Sequence, residues 1–340
     1  MNVTTASLSL LLIAGLGAQV KLQSPPLDDA RFAKLQALLT PAEDVTWRRI
    51  PWRIELLRKD FIAVAIDQAY ERRQQDAEGD YWRRIVDQSP RKGTKGTTQG
   101  LYVVAPSGEL LLFNNNRHPE KVLRLTKQVA TDFATSDRAK IKAAAIDPGK
   151  VDARYNPNPP KGGLVIRSRA KVLGGYQATE DRWRKLMQSA LSRDNLWVTG
   201  AEHDLLADGG LPAKLVRRLA RYHLVDNTRG EPPMWRDDEV RSLQVERVGD
   251  RIHGSISLAT KDGKRGYEAR VLGFVKVEKG QVTRFDLVAD GMFWGEGRYT
   301  RRAPEGRFPF AVSFTLADGT DIADAIPPQG SRGWVGGYLR

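Results

Sequence analysis

The sequence predicts an α+β chain in two halves: a β-α-β-β-α unit, then an antiparallel β-meander folded as a half-open barrel with covering helices. Three observations predict it. Residues 240–290 alternate apolar and polar with period two, and the turns Gly249-Asp250, Asp262-Gly263 and Lys279-Gly280 cut them into strands 240–248, 251–260, 266–278 and 281–290. Each turn carries a glycine, which supplies the positive φ a tight hairpin needs. The first half instead orders as strand, helix, two short strands and helix. Between the halves, Tyr155-Asn-Pro-Asn-Pro-Pro-Lys-Gly-Gly interrupts both patterns.

Taken in order, residues 8–14 form an apolar run followed by Gly15, Gly17 and Ala18. The run is too short to span a bilayer and has the shape of a signal-peptide core, although no Lys or Arg precedes it; the other reading is a buried helix. A signal peptide at 1–18 implies export to a periplasm or beyond, and no later segment reads as transmembrane. An N-terminal arm, 19–46, contains a short helix at 28–39 with Phe32, Leu35 and Leu39 at helical spacing. Trp47 and Trp52 bracket Pro51 and are expected to dock the arm on the first domain, 47–135.

In that domain a buried-type strand at 61–66 precedes a helix at 69–86, with Tyr70, Ala77, Tyr81, Trp82 and Ile85 inward. A basic loop at 90–98 leads to strands at 101–105 and 110–113, joined at Ser107-Gly108. A helix at 119–133 follows, capped by Asn116 or His118 and carrying Val122, Leu125 and Val129. This order, with the hairpin Gly-Leu-Tyr-Val-Val-Ala-Pro-Ser-Gly-Glu-Leu-Leu, resembles the thioredoxin-like fold. Redox-active members carry Cys-x-x-Cys after the first strand; here that stretch reads Ala69-Tyr-Glu-Arg72, and Gln99 stands where the cis-proline would be. Disulfide exchange needs a thiolate, so the resemblance implies a fold used for binding or as a scaffold, without the redox activity.

A linker at 136–162 separates this unit from a β-rich domain with helices at 163–330 and a tail at 331–340. The second domain opens with a strand at 163–173 carrying Arg167, Arg169 and Lys171. Thr179 caps a helix to about 191, 201–206 is helical, and Pro212 starts a helix bearing Leu215, Leu219 and Tyr222. The two-residue turns then set the register. Leu243 faces Ile256, Val245 faces Gly254, Leu258 faces Tyr267, Ile256 faces Ala269 and Gly254 faces Val271. Val277 faces Val282, Val275 faces Arg284, Gly273 faces Asp286 and Val271 faces Val288. One face becomes the core: Leu243, Val245, Ile252, Ile256, Leu258, Tyr267, Ala269, Val271, Val275, Val277, Val282 and Val288. Leu272, Phe274, Phe285 and Leu287 form a patch on the other, which the Leu215/Leu219 helix is expected to cover. Residues 308–316 alternate cleanly and add a fifth strand.

This register places Arg284 and Asp286 on the aliphatic face. They read as a buried structural ion pair, as residues turned to solvent by a β-bulge, or as a ligand or catalytic site inside the half-open barrel. In the last reading Arg284 clamps an anion and Asp286 is a base. His223, Asp226, Arg229 and Glu231, from the polar run before the meander, line the rim, and Trp294 offers a stacking platform. The plainer role for His223 is a helix C-terminal cap. A pairing of Asp286 with Asp290 or Glu296 would also suit general acid–base chemistry. The runs Asn-Thr-Arg-Gly-Glu-Pro-Pro, Arg-Gly-Tyr-Glu-Ala-Arg-Val-Leu-Gly and Thr-Arg-Phe-Asp-Leu-Val-Ala resemble a family of exported bacterial proteins across most of 160–330. Its members pair a thioredoxin-like region with such a β-rich region. The resemblance implies layout and address, and no activity.

The absence of cysteine removes disulfides, thiolate nucleophiles and cysteine zinc sites. His118, His203, His223 and His253 lack a second histidine at ligand spacing, so neither metal nor cofactor is expected. His253 falls opposite Glu246 as a surface pair. No Gly-x-Ser-x-Gly, Walker loop or His-Glu-x-x-His is present. The excess of 54 Lys+Arg over 41 Asp+Glu gives +13, which suits an anionic ligand or polymer as much as a plain solvated surface. The leading expectation is an exported, non-redox binding or scaffold protein; the alternatives are a hydrolase-like enzyme around Arg284 and Asp286, and a polyanion-binding protein.

Overall fold

The computed structural model describes residues 26–40, 56, 59–64, 66–94, 96–116, 118–141 and 149–340. The expected signal peptide, Trp47, Pro51, Trp52 and the middle of the linker lie outside the described residues. Among those described, no helix is long and apolar enough to cross a membrane.

Helix α1, Asp29–Leu39, begins where Asp28 accepts a hydrogen bond from the Arg31 N–H at 2.8 Å, an N-cap that satisfies one of the orphan donors of the first turn. Next come α2 (Gln68–Glu71), α3 (Ala77–Asp87), the hairpin β1 (Leu101–Val104) and β2 (Leu110–Asn114), and α4 (Pro119–Ala134). Trp82, Ile85 and Val86 of α3 pack on Tyr102, Val104 and Leu110 of the hairpin, giving this unit its own small core. Two expectations need correction. The described residues of 61–66 belong to no strand, and Ile62 is 94% exposed. An apolar run supplies strand propensity but no pairing partner, and among the described residues β1 and β2 pair only with each other. The helix expected at 69–86 is two helices, because the chain holds two caps: Asp67 receives the Ala69 N–H and Asp76 the Gly79 N–H.

The second half is a seven-stranded antiparallel sheet. Its strands are β3 (Leu164–Val172), β4 (Asp194–Val198), β5 (Val240–Val248), β6 (Arg251–Ala259), β7 (Gly266–Glu278), β8 (Gln281–Trp294) and β9 (Arg307–Leu316). The spatial order is β4-β3-β9-β8-β7-β6-β5. Helices α5 (Arg182–Ser189), α6 (Gly200–Ala207) and α7 (Ala213–His223) lie between β3 and β5 in sequence, and the four-residue α8 (Val335–Tyr338) is the last element. The short β4 escapes the sequence pattern. Helix α7 touches both edge strands, β4 and β5, so it spans the mouth that the sheet leaves between them. The main core lies beneath it, with Leu215 and Leu219 over Ile252, Ile256, Val271, Phe285 and Leu287.

The register of β5, β6 and β7 is as expected at every named pair, and His253 faces Glu246. The β7–β8 hairpin departs from expectation after its first pair. Lys279 and Gly280 turn with φ of 52° and 73°, as the tight mirror-image turn requires, and Val277 meets Val282. Lys276 then meets Arg284, leaving Thr283 as an extra residue. This bulge shifts everything beyond it by one place, and with a side-chain period of two a shift of one exchanges the faces. Val275 pairs with Phe285, Phe274 with Asp286, Gly273 with Leu287 and Val271 with Ala289. Phe285 and Leu287 therefore join the main core under α7, while Val288 joins Leu272 on the opposite face. That opposite face is covered by α1, the arm helix, through Phe32, Leu35 and Leu39.

Candidate functional site

On the α1 face, alternation along each strand creates a lattice of outward side chains. Arg284, Asp286, Val288, Asp290, Met292 and Trp294 come from β8; Glu268, Arg270, Leu272 and Phe274 stand beside them on β7. Helix α1 lies across this lattice with three apolar anchors at i, i+3 and i+7, the spacing of a helix held in a groove. Its polar residues meet the strands at both ends. Arg31 donates to both oxygens of the buried Asp290, with Nη2–Oδ1 at 3.0 Å. Asp29 holds Arg251 at 2.6 and 3.2 Å. Gln36 Nε2 donates to Asp286 Oδ1 at 3.2 Å. The Asp286–Asp290 carboxylate pairing is thereby spoken for by α1.

Arg284 is ion-paired with Asp286 on this outer surface, at 42% and 20% side-chain exposure. The pair lies outside the apolar interior, because the Thr283 bulge turned it there. Arg284 and Arg251 each lie 5.4 Å from the Phe274 ring centroid, and Phe274 meets Phe32 edge-on at 5.3 Å. The bulge reading of this pair is the one the geometry matches.

The remaining candidates separate into different places. His223, in the last turn of α7, is buried; its Nδ1 faces Asp194 Oδ2 at 3.2 Å and its Nε2 faces the Tyr338 hydroxyl at 2.7 Å. Ser168 Oγ lies 3.5 Å from Nδ1. Carboxylate, imidazole and phenol stand in a row, yet all three are enclosed, and burial pushes the Tyr338 hydroxyl well above its ordinary pKa. The row ties the C-terminal α8 to the sheet. Arg218 supports it, with its guanidinium 5.5 Å from the Tyr338 ring centroid while pairing with the buried Glu202. The same C-terminal segment reaches the first unit, where the Tyr70 hydroxyl and Ser331 Oγ are 2.6 Å apart.

Asp226 and Arg229 form a second enclosed pair. Asp226 Oδ1 accepts from the Thr228 N–H at 3.0 Å and its hydroxyl at 2.6 Å, while Arg229 also donates to the Thr300 carbonyl. Tyr176 lies beside them with a buried hydroxyl that has no partner among the described residues, and burial raises its pKa to about 12. Glu231 is elsewhere again, on the surface with Arg332. Trp294 packs over Gly266, where an added Cβ would meet its ring at 2.0 Å. It donates to the Gly263 carbonyl at 2.9 Å and carries the Arg307 guanidinium 3.9 Å above its ring.

The residues proposed from sequence thus do not converge: Arg284 and Asp286 share one surface, Asp226 and Arg229 one loop, and His223, Glu231 and Trp294 each a separate place. Sequence reading missed Asp194 and Tyr338, the partners of His223, because nothing local to either marks it as a neighbour of a histidine in α7. It also missed Arg31, whose signal would have been a charged residue beside the first anchor of an otherwise amphipathic helix. Among the described residues, no group of three or more His, Asp or Glu is placed to hold a metal ion. An apolar cavity of about 10 Å³, between α7 and Val245, Ile252, Ile256, Val271 and Phe285, is of the order of one water and admits no substrate. Comparison with protein-family models, with characterised proteins and with solved structures finds no match for this chain.

Proposed function

We propose that the chain is an exported, non-redox binding or scaffold protein, in which a thioredoxin-like unit without thiols accompanies a β-rich domain of the exported bacterial family named above. The observation that carries this reading is that Arg284–Asp286, His223–Asp194, Asp226–Arg229 and Glu231–Arg332 each form a separate closed pair. An active site needs its nucleophile or base, its orienting group and its charge stabiliser around one reacting atom. Here each group is engaged by its own neighbour, and the two most suggestive rows are enclosed. The hydrolase-like alternative loses its motive with the pairing of Arg284 to Asp286. The order α2, α3, hairpin and α4 supports the thioredoxin-like reading of the first unit, while the region expected to hold its first strand does not. Purified full-length protein is expected to turn over none of a broad panel of ester, phosphoester, glycoside and peptide substrates. Turnover that survives repurification, and that Arg284→Ala abolishes, would refute the binding reading in favour of the enzyme.

A further inference from the structure

Strand β3 alternates buried Ile166, Ser168, Ala170 and Val172 with outward Arg167, Arg169 and Lys171. The three cations share one face, two residues apart, but their surroundings differ. Arg167 is clamped by Asp324, Nε–Oδ1 and Nη2–Oδ2 both at 2.8 Å, and by Asp318 at 2.7 Å. Arg193, arriving just before β4, pairs with Asp321 at 2.6 Å and Asp324 at 2.7 Å. Lys171 Nζ donates to the carbonyls of Ser189 and Ala190 at 3.2 and 3.4 Å.

Arg169 has none of this. Among the described residues its one side-chain hydrogen bond runs from Nη1 to Thr315 Oγ1 at 3.4 Å, at the long end of the range, and no carboxylate pairs with it. Its cross-strand partner is Ser313, whose hydroxyl is buried and has no hydrogen-bond partner among the described residues. A guanidinium keeps its charge and offers five donors in a plane. Arg169 is half-buried, and its remaining donors are not among the buried groups that lack a partner, so they face water that an incoming oxygen can replace.

We propose that Arg169, with Ser313 and Thr315 of β9, forms a binding site for one compact anionic group, a carboxylate or phosphate, on the outer face between α1 and the turn at Ile322–Ala325. A planar guanidinium takes two oxygens of such a group side by side, and the Ser313 hydroxyl supplies a further donor. The field has the right sign. Burial first, then Arg193 and Arg167, push the Arg169 pKa down, and these cations outweigh Asp324 and Asp321. Positive potential that opposes the arginine's own charge favours an incoming anion. The inference rests on the binding-protein reading and gives it a ligand class.

The test uses the full chain at constant ionic strength, replacing sodium chloride by sodium phosphate or by sodium acetate, with Tm and calorimetric titration as readouts. Phosphate, acetate or both are expected to raise Tm above the chloride control, and the tighter of the two assigns the group. Arg169→Met should weaken that anion at least tenfold, Ser313→Ala about threefold, and Arg169→Lys less than Arg169→Met, while Arg241→Met on the β5 edge should change nothing. Should Arg169→Met show no cooperative melt, Arg169→Lys and Ser313→Ala carry the comparison. Equal anion response in wild type and the Arg169 variants, or none beyond chloride, overturns the site while leaving the binding reading intact. Substrate turnover would overturn the binding reading without touching the anion result.

Discussion

Removing either side of the Arg31–Asp290 pair should have unequal consequences. Asp290 is 1% exposed and Arg31 32%. Arg31→Ala leaves a carboxylate inside the α1–sheet junction with its two charge-assisted bonds gone. A buried charge that loses its partner in this way costs about 3–5 kcal/mol, and the cross-strand Arg270 opposite Asp290 sets it toward the lower end. Asp290→Ala leaves a long guanidinium already partly in water, which can extend past the helix and hydrate. Its loss should be about 1–2 kcal/mol, the order of a charged hydrogen bond less the desolvation that is relieved. The expected gap of about 2 kcal/mol is large beside a domain stability of about 5–15 kcal/mol. Urea melts of both variants and the double variant, followed by circular dichroism, measure it; hydrogen exchange on the α1 amides locates it. Arg31→Ala should release protection over Asp29–Leu39 before the sheet loses any. Equal destabilisation by the two single variants, or a larger loss from Asp290→Ala, would refute the argument that burial asymmetry decides the cost.

Three further outcomes are expected. Asp286→Ala breaks a rim pair and one bond from Gln36, so its urea midpoint should move by about 1 kcal/mol or less; a loss of 3 kcal/mol would return the pair to the core. Deleting Thr283 removes the bulge yet leaves Val277 opposite Val282, Lys276 opposite Arg284 and Val275 opposite Phe285, so Phe285 and Leu287 stay under α7 and a single cooperative transition should persist by differential scanning calorimetry; loss of that transition would contradict the register. Burial, reinforced by Glu78 and Asp76, raises the Glu71 carboxyl from 4.5 to about 7. The folded state then holds a proton that the unfolded chain has released, so this contribution is full below pH 4.5 and is lost as pH rises through 7. Glu71→Gln should therefore match wild type at pH 4 and exceed it in Tm at pH 8; an equal difference at both values would remove the pH argument.

The parts of the fold legible in sequence are those set by local rules. Turns at Gly249-Asp250 and Asp262-Gly263 bind two strands each through a fixed count of residues, so every named pair from Leu243 to Val271 follows from them. The Thr283 bulge has no such signature. Threonine is an ordinary strand residue, and only the packing of Phe285 and Leu287 under α7 decides that the count slips there. The covering helices were exchanged for a related reason. Amphipathic α1 and α7 both need an apolar face to bury against, and periodicity says that a face exists without saying which sheet surface receives it. Asp194, His223 and Tyr338 show the same limit at the level of a site: a histidine at a helix end is visible, but its partners on β4 and α8 are delivered by the fold alone. The Arg167/Arg169/Lys171 alternation was plain, whereas the difference between clamped Arg167 and solitary Arg169 depends on where residues 318–324 return.

The docking of α1 also orders events in time. Arg31 and Asp290 are separated by 259 positions, and Ala311, beneath the same helix, is made later still. At about 5–20 residues per second, the ribosome takes roughly 10–50 s to deliver the surface that α1 needs. Throughout that interval Phe32, Leu35 and Leu39 have no groove to enter, and an isolated helix of this length is marginal in water. Among the described residues the first helix to be synthesised is thus among the last to settle, and the nascent chain carries three unsheltered apolar anchors until the strand that closes the sheet has been made.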